Sequence, residues 1–143
     1  MKWLHEHAEW TPVVLRVFFG FAFLIAGLDK ILSLQMARGM FEGFFGPTLG
    51  APLLYLAIAI ELLGGIALLL NWHAACAATV LTLFMIVALV KTFKLGVAPN
   101  IIGTLREMFV MNTGGGNTAV NFAYIAGLLA IAFSGCEQCR KRK

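Results

Sequence analysis

The chain has 143 residues, 60% hydrophobic and 13% charged, with a mean hydropathy of +0.87. Soluble domains run about 45–50% apolar and about 25% charged, so an ordinary soluble globule and a disordered chain are both excluded. Net charge is +4, and four of the eleven basic residues form the run Arg140 to Lys143, which fits a flank facing anionic lipid and not a nucleic-acid surface.

In chain order, Met1–Thr11 carries Glu6 and Glu9. No small-x-small cleavage pattern ends the apolar run that follows, so a cleaved signal peptide is not expected. That run, about 12–34, is the first predicted helix, opened by Pro12, whose missing N–H costs nothing in a first turn. A second helix is expected over about 53–72, a third over 74–95 and a fourth over 118–135. Each approaches the length that crosses roughly 30 Å of hydrocarbon at about 1.5 Å per residue. In lipid the backbone must satisfy its own hydrogen bonds, so apolar runs of this length are helices. The expected fold class is all-α, an integral membrane four-helix bundle in a single domain over 1–143.

The links differ. Asn71, Trp72 and His73 are all that separates the second helix from the third, a tight helical hairpin. Ser33–Pro52 and Gly96–Asn117 are longer and mix large apolar residues with Arg38 and Glu42, or with Arg106 and Glu107. Both are expected as amphipathic segments lying in the membrane interface. Four spans put both termini on one side, and the basic C-terminal run makes that side cytoplasmic.

Polar residues inside the spans carry the functional argument, because a mid-bilayer charge costs about 2.5–3.5 kcal/mol on insertion scales. Glu61 lies about nine residues, or roughly 13 Å, into its helix. Arg16, Gly20, Phe23, Gly27 and Lys30 share one stripe of the first helix at 100° per residue. Gly20 and Gly27 are expected against Gly64 and Gly65, with Arg16 and Lys30 flanking Glu61. Lys30, Lys91 and Asn121 fall at similar depth with Asp29 beside them. Arg16, Asp29, Lys30, Glu61, Lys91 and Asn121 thus outline a polar pocket with Glu61 as its floor. Against this stand two blander readings: lysines that snorkel to headgroups and an asparagine that only joins helices.

Cys136 and Cys139 form a C-x-x-C expected just after the fourth helix, on the same side as His73 and Cys76. These are donors of the type that hold zinc or exchange thiols, but one pair completes no metal site. No haem, flavin or phosphate-loop motif is present.

Arg16, Gly20, Phe23-Leu24, Gly27 and Lys30 resemble the first-helix signature of the DoxX family. Phe41 resembles its aromatic position in the first connection, and Glu61-Leu62-Leu63-Gly64-Gly65 resembles its second helix. The second half of the chain matches only in helix count, with Ser134-Gly135-Cys136-Glu137-Gln138-Cys139 where many members carry another pattern. The resemblance implies a small bacterial or archaeal inner-membrane protein of four helices. Some members are membrane subunits of a thiosulfate:quinone oxidoreductase, and others associate with sulfur-handling and oxidative-stress proteins.

Together these lead to a redox-associated membrane protein that binds a small lipophilic molecule, a quinone being the expected ligand, with electrons from a soluble or membrane partner subunit. An oligomer is compatible with this reading, and nucleic acid is not an expected partner. Two alternatives stay open. One is an assembly subunit in which Glu61 forms a buried ion pair. The other is a transporter or a membrane thiol oxidoreductase using Cys136 and Cys139.

Overall fold

The computed structural model describes residues 10–93, 102, 106 and 118–141, the last seven as backbone alone. Five helices are described: α1 Thr11–Leu32, α2 Leu34–Phe45, α3 Pro47–Leu69, α4 Ala74–Thr92 and α5 Thr118–Lys141. No strand occurs among the described residues. Helices α1, α3 and α4 are each long and apolar enough to cross a membrane, and α5 adds a shorter apolar stretch, Thr118–Ser134.

The packing order explains the bundle. Helix α1 lies against α3 and α5, α3 against α4, and α4 against α5, which closes a four-helix ring; α2 folds back onto α3. Its core is Phe19, Phe23, Leu68, Ala78, Leu81, Met85, Leu128 and Ile131. A second cluster, Ala37, Phe41, Leu54, Ala57 and Ile58, forms where α2 meets α3. The outer face is just as apolar: Val14, Phe18, Phe21 and Ile25 of α1 and Val80, Leu83 and Val87 of α4 are exposed. Such a surface suits contact with acyl chains and not with water.

Several expected boundaries shift, each for a local reason. Helix α1 stops at Leu32 because Ser33 leaves helical geometry at φ −107°, ψ 38°. The chain re-enters a helix at once, so the first interfacial segment is helical, as α2, with Ala37 and Phe41 turned inward. Gly46 at φ 84° makes the turn that a side chain would strain. Pro47 then starts α3 six residues earlier than the apolar pattern suggests, and Pro52 is held inside it. The hairpin is tight but takes in Leu70 as well, because the second spanning helix ends at Leu69, and Asn71 and His73 are both at positive φ. Helix α5 continues through Lys141, so Cys136 and Cys139 lie within it and not after it. Glu137, Gln138, Arg140 and Lys141 are good helix formers, and nothing past Gly135 breaks the run. Of the second interfacial segment only Ile102 and Arg106, both helical, are described; the rest lies outside the described residues.

Candidate functional site

Helices α1 and α3 meet at their backbones. A Cβ on Gly65 would stand 2.8 Å from the carbonyl oxygen of Gly20, and one on Gly20 would stand 2.7 Å from the Leu69 side chain. Glycine is therefore required for this approach. Further along, Gly27 faces Leu62 and Glu61, while Gly64 turns the other way and meets Leu81 of α4. The expected pairing of two glycines with two glycines thus holds for Gly20 and Gly65 alone. At 100° per residue Gly64 and Gly65 point in different directions, so one helix cannot cover both.

The close approach brings Glu61 to Lys30. The Lys30 Nζ donates to both carboxylate oxygens at 2.8 Å. It also lies 3.4 Å from the Ala26 carbonyl one turn back. The Glu61 side chain is 5% exposed and that of Lys30 18%. A buried charge of either sign would be costly alone, and pairing offsets that cost only where the geometry is this direct.

The pair lines a cavity of about 380 Å³. Ala22 and Ala26 of α1 and Ala88 of α4 line it, and their short side chains leave the space unfilled. Phe41, Phe44 and Phe45 of α2, Phe84 and Met85 of α4, and Tyr124 of α5 supply the apolar wall. Lys91, Thr92 and Asn121 complete the polar lining. Asn121 is buried and donates from Nδ2 to Thr92 Oγ1 at 3.2 Å. Thr92 in turn donates to the Ala88 carbonyl at 2.9 Å. Lys91 does not stretch away from the protein. Its Nζ lies 4.6 Å from the centre of the Phe45 ring and donates to the Phe44 carbonyl at 3.3 Å.

Four of the six expected pocket residues are therefore together: Lys30, Glu61, Lys91 and Asn121. Arg16 and Asp29 are not. Arg16 donates to Asn71 Oδ1 in the α3–α4 hairpin and, from Nε, to the Pro12 carbonyl at 3.3 Å. It sits fourteen residues before Lys30, roughly 21 Å along the helix and beyond reach of Glu61. Asp29 is exposed and lies off the cavity wall. Thr92, Phe45 and Tyr124 join the lining without being among the residues expected there. Tyr124 stands one turn after Asn121, so helical spacing from the asparagine would have found it; Thr92 and Phe45 carry no comparable signal.

His73 and Cys76 are exposed at the opposite end of α4. Among the described residues no group of three or more His, Cys, Asp or Glu could hold a metal ion. The side chains of Cys136 and Cys139 lie outside the described residues.

The family model described as DoxX matches residues 11–94, that is, α1 through α4 with one residue beyond the described part. A search of the curated proteins and a search of the solved structures each returned no match.

Proposed function

The chain belongs to the DoxX family, and on that basis we propose that it is a redox-associated inner-membrane protein that binds a small lipophilic molecule, a quinone, beside Glu61. The observation that carries the reading is the cavity of about 380 Å³, aromatic on its walls and polar at a few points. Ligand sites of roughly 300–1,000 Å³ have this composition. A quinone head is a flat ring with two carbonyl oxygens. The wall of Phe41, Phe84, Met85 and Tyr124 suits the ring, and the Lys30 ammonium and the Asn121 amide are donors for the oxygens. Glu61, held by Lys30, is a group through which a proton could pass. The electron donor would be a partner subunit, soluble or membrane-bound, and both termini would be cytoplasmic.

Mass spectrometry of the protein and of its lipophilic extract, purified in mild detergent, tests this. The expected result is one quinone per chain in the wild type and none in Glu61→Gln that still runs as a folded species. A folded wild type that carries no quinone and takes up none when supplied would overturn the reading.

The Lys30–Glu61 pair itself favours a second reading, because it ties α1 to α3. In an assembly subunit it would be a clamp. Glu61→Gln would then lower stability by stranding the Lys30 charge, and no ligand would be lost.

A further inference from the structure

We propose that Lys91, with Asn121, forms an oxyanion subsite in the same cavity, so that the preferred ligand is an acidic lipophile, ionised at one oxygen. The inference rests on the site reading above and adds the charge of the ligand to it. Two ammonium groups, Lys30 and Lys91, and one carboxylate, Glu61, line the cavity. Lys30 and Glu61 neutralise each other through their bidentate contact at 2.8 Å. The other ion pair among the described residues, Arg38–Glu42, is self-contained on α2. Lys91 is left with a ring face and one backbone carbonyl, and no carboxylate is paired with it among the described residues.

A ring face and a carbonyl oxygen attract an ammonium without neutralising it. Lys91 is exposed, and these two contacts keep its ammonium against the cavity lining. An ammonium has three donors, and the Phe44 carbonyl uses one. An oxyanion is the acceptor that gives the remaining donors charge-assisted hydrogen bonds and balances the excess positive charge. Asn121 is buried within the same lining, where its amide can contribute a further donor.

A matched pair of probes isolates the charge. The compound 2-hydroxy-1,4-naphthoquinone is an anion at neutral pH, while 2-methyl-1,4-naphthoquinone has the same ring and is neutral. Both are titrated calorimetrically into the full chain in phosphatidylcholine nanodiscs, with empty nanodiscs subtracted. The anion should bind about tenfold tighter, equivalent to about 1.4 kcal/mol. Lys91→Met should abolish that preference, and Lys91→Arg should keep it. Equal affinities in the wild type, or a preference that survives Lys91→Met, would overturn the oxyanion subsite and leave the quinone site standing. Binding of neither compound would overturn the site reading and this inference with it. Repeating the titration in phosphatidylglycerol nanodiscs separates two sources of the oxyanion. A preference that collapses there identifies a lipid phosphate as the competing natural occupant of the subsite; a preference that persists identifies a free acidic ligand.

Discussion

The two ends of α1 each place a cation against the rest of the bundle, and they do different things with it. At the N-terminal end, Arg16 meets a neutral partner, Asn71, and closes the hairpin between α3 and α4. The space left there is about 30 Å³. Packing around it is tight: a Cβ on Gly127 would fall 2.3 Å from the Phe19 ring. Toward the C-terminal end, Lys30 meets a buried carboxylate, and the adjoining cavity is about 380 Å³. The difference lies in what surrounds each cation. Phe19, Leu69 and Ile131 fill one end, whereas Ala22, Ala26 and Ala88 leave the other open. One end is built for contact, and the other keeps polar groups facing a space that a ligand can enter.

Breaking each end should expose that difference. The largest loss is expected for Glu61→Leu, which leaves the Lys30 ammonium unpaired and should cost about 3 kcal/mol or more. Thermal unfolding in detergent measures it, and the double variant Lys30→Met/Glu61→Leu should recover most of the loss. Gly65→Val attacks the packed side, pushing a side chain onto the Gly20 carbonyl; about 2–3 kcal/mol is expected from overpacking alone. Asn71→Gly, which leaves the positive φ unstrained, should cost about 1.5 kcal/mol, the lower end for a hydrogen bond to a charged group, and should leave ligand binding as it was. Ala88→Leu sharpens the comparison from the other side. Filling the cavity should change stability by less than about 2 kcal/mol yet prevent quinone uptake, read as loss of the co-purified molecule.

Much of this was legible in the residues. Apolar run length located the membrane helices, because lipid leaves the backbone no alternative. The depth of Glu61 demanded a partner, and helical spacing nominated Lys30. Spacing also nominated Arg16, and there it misled. A stripe on one helix says which residues share a face, not which turn of the neighbour each one meets; the antiparallel register of α1 on α3 decides that. The same register assigned Gly65 to α1 and Gly64 to α4. Helix ends were set by single residues, Ser33 and Gly46, whose backbone angles periodicity does not encode. The polar floor of the pocket was legible, but its open volume was not. It arises from alanines on separate helices facing a common space, and no segment of sequence contains that information. Sequence alone leaves Lys91 readable as a snorkelling lysine, because the Phe45 ring beside its ammonium comes from another helix.

Photolabelling is the most direct test of the central claim, that the space beside Lys30 and Glu61 is a ligand site. A diazirine-bearing quinone would be photolysed with the full chain in nanodiscs and the adducts mapped by peptide mass spectrometry. The account predicts adducts on the cavity wall, at Phe44, Phe45, Phe84 or Tyr124, reduced by excess unlabelled quinone and lost in Ala88→Leu. Adducts confined to the outer face of α1, at Val14, Phe18 or Phe21, and unaffected by competitor would contradict it.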